Sequence, residues 1–338
     1  MMVATSAGLV AGLVADAVLG DPRRGHPVAG FGRAASVLER TWWADSRRRG
    51  ALHTAVAVGI PVVAGVAVDR SLARLGSRAA ERQARHRWSA GDLTRATAVA
   101  TTAWAVLGGR SLTREAELLG RSLSDGDLES ARQRLPHLCG RDPASLDPAG
   151  LARATVESVA ENTSDAVVAP LFWGAVAGLP GLAAYRAVNT LDAMVGHKNE
   201  RFRNFGWASA RVDDLANLLP ARLSGALAAA AAPLVGGRPA DAVLAWRRDA
   251  HRHPSPNAGV VEAAFAGALG RQLGGRTVYA YGVDERPVLG SGPPVTPADI
   301  PRAVRLSRAV SVGSLAGVVV GRIIGLAVAR RITAGRRP

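Results

Sequence analysis

Glu157, Glu161 and Asp165 recur at every fourth position in the stretch VESVAENTSDAVVAPLFW, residues 156–173. At about 100° per residue on an α-helix, these three carboxylates fall within about 80° of arc on one face. Like charges at that spacing repel by about a few tenths of a kcal/mol per pair, which a solvated helix end tolerates. This face, however, runs directly into an apolar segment, where an unpaired carboxylate is far more costly. A divalent cation would resolve the conflict, because Mg2+ takes one or two carboxylates and completes its shell with water and phosphate oxygens. Glu157, Glu161 and Asp165 are therefore expected to be metal ligands, and Asn162 a neutral ligand or donor.

Two more polar clusters have a composition suited to chemistry. NTLDAMVGHKNERFRNFGW, residues 189–207, contains Lys198, the only lysine in a chain with 42 lysines and arginines. An ammonium group is a compact point charge, whereas a guanidinium is a planar fork, so the two do not fit the same place. Asn189 and Asp192 share a helix face, Gly196 permits a break, and His197, Lys198 and Asn199 follow on a loop with Arg201. Asp213, Asp214 and Asn217 then form an oxygen-rich group beside Arg211, with Asp213 and Asn217 on one face. A charged interhelical loop would explain the arginines, but not the acid and amide groups at both ends. The other cluster is RRDAHRHPSPNAGVVEAAFAGALG, residues 247–270. Its two prolines hold His253–Ser255 extended. Asn257 reads as an N-cap, Gly259 leaves room for a ligand at the helix start, and Glu262 lies in the first two turns. A basic turn around His26, in DAVLGDPRRGHPVAGFGR, is too plain for a phosphate loop.

The elements that must position these groups are mostly helices. The chain has 338 residues, a formal charge of +15 and one cysteine. That charge does not indicate nucleic acid, because the arginines flank Ala-, Val-, Leu- and Gly-rich blocks as in a membrane protein with basic loops. A lone Cys139 leaves no disulfide framework or cysteine-rich metal site. The expected apolar segments are Val3–Leu19 (an uncleaved helix), Ala51–Val68, Ala96–Gly109, Ala166–Tyr185, Leu215–Gly236 and Ala309–Ala329. The third is short for a span of about 20 residues, and Pro170 and Pro180 interrupt the fourth. Arg222 and Arg322 are expected to face a protein interior. Ser111–Leu135 predicts amphipathic helices, Asp147-Pro148 a helix start, and Arg276–Leu289 a hairpin about Asp284-Glu285. The fold class is thus mainly α: a polytopic helical membrane protein of one domain, with an interfacial insert over 110–165, a polar loop and short hairpin over 247–300, and lipid as a partner.

Taken together, the stretches "DP…HPV…G", ESVAENTSDAVVAPLFW, YRAVNTLDAMVGHKNERFRNFGWASARVDDLANLLPARL and "RDAHRHPSPNAG…EAAFAGAL" resemble the CobD/CbiB family, the membrane-bound adenosylcobinamide-phosphate synthases of cobalamin biosynthesis. The resemblance spans nearly the whole chain. It implies an ATP-dependent amide ligase at the cytoplasmic membrane, its site facing the cytoplasm. Such an enzyme joins a propionate of the corrinoid adenosylcobyric acid to (R)-1-amino-2-propanol or its O-phosphate. Other corrinoid-assembly enzymes are expected partners, and nucleic acid is not.

Within that reading, ATP turns the carboxylate into an acyl phosphate, and phosphoryl transfer relies on positioning and charge neutralisation by Mg2+. No G-x-x-x-x-G-K-[ST] stretch is present, so the nucleotide site is not a P-loop. Lys198, His197, Glu161 and Asp165 are assigned to the chemical step, with Lys198 on a phosphoryl oxygen and His197 or His253 accepting the ammonium proton. Glu157, Glu161, Asp165, Asp213, Asp214 and Asn217 are the expected Mg2+ ligands. Glu157, Asn162, Asn189, Asp192, Asn199, Arg201, Arg211, His253, Ser255, Asn257 and Glu262 are expected to bind ATP and substrate. Convergence of these clusters requires Ala166–Tyr185 to re-enter or lie within the protein, or the site to sit at membrane depth; the first is expected. Rival readings are a Mg2+-dependent membrane prenyltransferase, a transporter, and a scaffold for corrinoid assembly. A prenyltransferase would want two similar Asp-rich helices, and a transporter paired halves; neither pattern is found.

Overall fold

A computed structural model describes residues 2–22, 25–80, 88–197, 199–279 and 282–334. The chain folds as two compact units, each assembled from separate stretches of sequence. Through the first unit run α1 (Met2–Leu19), α2 (Pro27–Trp42), α3 (Arg47–Ala80) and α4 (Ala90–Val106). The chain then forms α5 (Gly109–Ser124), α6 (Leu128–Arg134) and α7 (Pro148–Thr163) in the second unit, α8 (Ala169–Val195) and α9 (Trp207–Ala216) in the first, and α10 (Leu218–Ala231), α11 (Pro239–Asp249) and α12 (Ala258–Leu269) in the second. A hairpin of β1 (Leu273–Tyr279) and β2 (Gly282–Leu289) precedes α13 (Ile300–Ala334).

In the first unit, α1 packs closely on α4 because Gly8 and Gly12 present no side chain there; a Cβ on Gly8 would lie 2.6 Å from that of Val99. Small residues allow this kind of approach between apolar helices. Two arginines on apolar helices of the unit are matched by protein groups. Arg95 pairs with Asp69 at 2.6 Å and donates to Thr5, while Arg322 donates to Ser6 and to the carbonyl of Ala175. Arg322 thus faces protein groups, as expected for a charge in an apolar helix. α8 breaks at Gly178, whose φ of 66° favours glycine, two residues before Pro180. Much of the Ala166–Tyr185 block is buried, including Leu171, Leu179, Leu182 and Tyr185.

The second unit has a core of α5, α7, α10, α12, the hairpin and the start of α13, with Leu119, Leu151, Val159, Phe265, Leu273 and Ile300 at its centre. Asp147 caps α7 as expected, accepting from the Gly150 N–H at 2.7 Å, and Pro148 occupies the first turn. The helix widens to a π-turn at Ser164–Val168, so Asp165 leaves the regular register of Glu157 and Glu161. Every residue of α12 is buried. The hairpin is present, but Asp284 and Glu285 do not form its turn. They lie in β2, opposite Thr277 and Arg276.

Among the described residues four helices are long and apolar enough to cross a membrane: Arg47–Arg74, Pro148–Val195, Leu218–Val235 and Pro297–Gly325. This is fewer than the six apolar segments of the sequence. Val3–Leu19 is shorter, and α4 carries a capped polar start, with Ser89 and Asp92 bonding each other's backbone N–H. Ile60, Val63, Val176, Leu219, Val312 and Ile323 are exposed apolar side chains on these helices, suited to lipid.

Candidate active site

Buried titratable groups concentrate in the second unit. Glu262 is 1% exposed, and among the described residues neither carboxylate oxygen has a hydrogen-bond partner. Burial pushes its carboxyl well above the usual carboxylate range, and the neighbouring charges of Glu157 and Glu161 push it further; Arg286 and Arg141 oppose them. The nearest ring is His253, whose Nε2 lies 3.9 Å from Glu262 Oε1 and is itself buried without a hydrogen bond. His253 Nδ1 accepts from the Ser255 N–H at 3.1 Å and also lies 3.2 Å from the Ser255 carbonyl, so either tautomer finds a partner there. Burial lowers the His253 pKa. Burial thus favours the uncharged form of both groups, and 3.9 Å is too long for a hydrogen bond between them.

Local sequence explains the placement. Pro254 and Pro256 rigidify the turn, and Gly259 lets α12 approach it; a Cβ at Gly259 would lie 2.5 Å from the His253 Cβ. The room at Gly259 is thus filled by His253 rather than left for a ligand. Asn257 occupies the N-cap position but does not cap with its side chain. Its Oδ1 instead accepts from Arg222 at 2.7 Å, and Ser255 Oγ accepts the Asn257 and Ala258 N–H groups. Arg222 is a partly buried cation on an apolar helix, and the amide oxygen adds a second acceptor to the Leu218 carbonyl it already reaches.

Glu157 and Glu161, expected to act alike, differ. Glu157 has one oxygen on the Arg141 guanidinium and the other on the Gly274 N–H, both partners buried. Arg153 on the same helix donates to the carbonyls of Gly274 and Arg276, each at 2.6 Å. These contacts pin the hairpin to α7. Glu161 is half-buried and makes no hydrogen bond among the described residues, within electrostatic reach of Glu157, Arg141 and Arg286. Asn162 donates to the Ser158 carbonyl and hydroxyl. Arg141 and Arg286 were missed by sequence reasoning, because nothing distinguishes them in a chain so rich in arginine.

The second unit therefore holds Glu157, Glu161, Asn162, Asp165, Asn217, His253, Ser255, Asn257 and Glu262. In the first unit lie Asn189, Asp192, His197, Asn199, Arg201, Arg211, Asp213 and Asp214. Lys198 lies outside the described residues. Around it, exposed His197 has Nε2 2.9 Å from the Ala193 carbonyl, and Asn199 Oδ1 accepts the Phe202 N–H. Arg201 pairs with Glu39 at 2.8 Å and stacks on Trp43. Arg211 pairs with Asp214 at 3.7 Å, while Asn189, Asp192 and Asp213 each have a polar or charged partner. Asn217 sits at the junction of α9 and α10, not on a continuous helix face with Asp213. Among the described residues no three His, Cys, Asp or Glu side chains form a ready metal cage. Mg2+ does not need one, since water and phosphate oxygens fill most of its shell.

One carboxylate beside this region is purely structural. Asp249 is buried, takes two bonds of 2.7 Å from Arg248, and accepts the Gly290 N–H at 2.8 Å. The Arg248 bonds hold its carboxyl below the ordinary range, with Gly290 and Arg252 helping. A depressed folded-state pKa contributes stability above the unfolded value, and that contribution disappears as pH falls through the folded value. Asp249→Asn is expected to lower unfolding stability by about 2 kcal/mol at neutral pH. Thermal midpoints of variant and wild type should converge on acidification.

A family model described as CobD/Cbib protein matches residues 9–307. A cobalamin biosynthesis protein CobD from Mycobacterium tuberculosis (strain CDC 1551 / Oshkosh) is 50% identical over 91% of this chain and 92% of its own length. Proteins of the same name from Chromobacterium violaceum and Rhodobacter capsulatus are 44% and 41% identical, over 87% and 91% of this chain and 89% and 94% of their own lengths. No solved structure matches the chain. A match that runs from α1 into α13, with half the residues shared across nearly the full length of a relative, makes this helical chain a member of the CobD/CbiB family of cobalamin biosynthesis proteins.

Proposed function

We propose that the protein is an ATP-dependent amide ligase of the cytoplasmic membrane. It joins a propionate carboxylate of adenosylcobyric acid to (R)-1-amino-2-propanol or its O-phosphate, giving adenosylcobinamide or its phosphate. The observation that carries this reading beyond family membership is the Glu262 carboxylate, buried with both oxygens unbonded beside Glu161 and His253. Such a group needs a cation or a proton. Its hard oxygen donors fit Mg2+, which Glu262 and Glu161 would hold, with Asp165 next on the chain. Glu157 is left out of this set because its oxygens are taken by Arg141 and Gly274.

ATP supplies the leaving group: its γ-phosphoryl passes to the propionate oxygen, giving an acyl phosphate and ADP. The amine nitrogen then forms the C–N bond as phosphate departs. Arg141 and Arg286 offset the negative charge gathered around the carboxylates. His253, neutral by burial, is suited to accept the proton that the ammonium group must lose before attack, with Glu262 beside it. Mass detection of a cobinamide-type amide from purified protein, cobyric acid, amino alcohol, ATP and Mg2+ tests the reading. It also excludes a scaffold-only role. Amide absent under these conditions, or formed without ATP turnover, ends the proposal.

A role for Lys198 on the transferring phosphoryl oxygen is proposed from the chemistry of an ammonium group alone. Lys198→Arg is expected to lower kcat by about tenfold or more, since a planar fork replaces a point charge. Turnover close to wild type would remove this lysine from the mechanism.

A further inference from the structure

We propose that the pocket bounded by α10, α11 and the His251–Pro256 turn binds a phosphate group, carried by either the amino alcohol or the nucleotide. The proposal rests on the ligase reading only for the bearer of that phosphate. The pocket has a volume of about 440 Å³ and is lined by Arg222, Trp246, Arg247, His251 and His253, with Ala250, Pro254, Pro256 and Val260 as its remaining walls. Two guanidinium and two imidazole groups face it, and no carboxylate does. Its size is that of a small-molecule site, which is typically about 300–1,000 Å³.

The cationic groups are not equivalent. Arg222 is anchored, donating to the Leu218 carbonyl at 3.2 Å and to Asn257 Oδ1 at 2.7 Å. A guanidinium has five N–H donors, so donors remain for an anion. Arg247 and His251, four residues apart, are exposed and have no hydrogen-bond or ion-pair partner among the described residues. Their neighbours Arg248 and Arg252 are instead neutralised by Asp249. The local acid is thus consumed by the alternate arginines, leaving the pocket's own charge uncompensated. The start of α12 contributes nothing, because Ser255 Oγ already takes its first N–H groups. His253 is the shared wall: its side chain is 4% exposed, and its Nε2 faces Glu262. A phosphate held by Arg222 and Arg247 therefore lies one imidazole away from the buried carboxylate. Planar guanidinium forks match phosphate oxygens in pairs, which solvated surface arginines do not need.

Equilibrium dialysis of radiolabelled inorganic phosphate against the full chain in detergent tests the site without turnover. Saturable binding is expected. Arg247→Gln, at an exposed position that leaves the fold intact, should weaken it about tenfold, and Arg222→Lys should weaken it less than Arg222→Gln. Arg238→Gln, at an exposed arginine of the same helix region that does not line the pocket, should bind as wild type. Displacement by 1-amino-2-propanol O-phosphate, or by a non-hydrolysable ATP analogue with Mg2+, identifies the bearer, and displacement by neither overturns the proposal. Equal phosphate affinity in Arg247→Gln and wild type also overturns it, even if amide formation proceeds. Phosphate binding without any amide formation would instead sink the ligase reading and leave the pocket standing.

Discussion

Glu262→Gln is expected to fold normally and to lose about a hundredfold or more in kcat for amide formation, the scale of removing one preorganised electrostatic element from a reaction centre. The substitution is close to isosteric and leaves a group that cannot ionise to take up a cation. In the free protein neither Glu262 oxygen makes a hydrogen bond, so no intramolecular partner is stranded by the change. Burial already favours the uncharged carboxyl, so an uncharged amide in its place should not lower the thermal midpoint at neutral pH. An unbonded carboxylate at the centre of a packed unit is expensive to retain and contributes nothing to the fold. The measurements are single-turnover amide formation by mass and a melting curve on the same preparation. Normal turnover would place the reaction centre elsewhere; lost activity with a collapsed midpoint would return Glu262 to a packing role.

Glu157→Ala is expected to do the opposite, although Glu157 lies only four residues from Glu161 on the same helix. Removing it takes the paired carboxylate from the Arg141 guanidinium, which is 6% exposed, and the acceptor from the Gly274 N–H. Breaking one side of a buried ion pair costs about 3–5 kcal/mol, because the remaining charge keeps its desolvation penalty. The hairpin loses one of its two attachments to α7, Arg153 being the other. Unfolding in denaturant should shift by that amount, and protease should cut first near the hairpin. Glu157→Gln, which retains an acceptor, should lose less. Stability equal to wild type in Glu157→Ala would mean that the Arg141 pair does not hold the hairpin.

These two glutamates show where reading the sequence stops. The four-residue period in the 156–173 stretch marked a polar face entering an apolar block, and the helix start at Asp147-Pro148 was legible from capping chemistry alone. Periodicity treated Glu157, Glu161 and Asp165 as equals. It could not distinguish a carboxylate with both oxygens engaged from one with none, because the distinguishing partners, Arg141 and Gly274, come from a loop and a hairpin distant along the chain. The π-turn at Ser164–Val168 was equally hidden.

What the sequence alone determined is what depends on neighbours along the chain: apolar blocks, caps, the proline-rigid turn at His253–Pro256, and a pattern long enough to identify the family. The tertiary structure decided which polar groups are buried without partners, since that depends on which remote side chains arrive. Asn257 is the clearest example: local rules made it a cap, but a partly buried arginine from α10 took its side-chain oxygen, and Ser255 took over the cap. Glu262 and His253 were drawn together by the absence of a side chain at Gly259, a contact that sequence spacing does not specify.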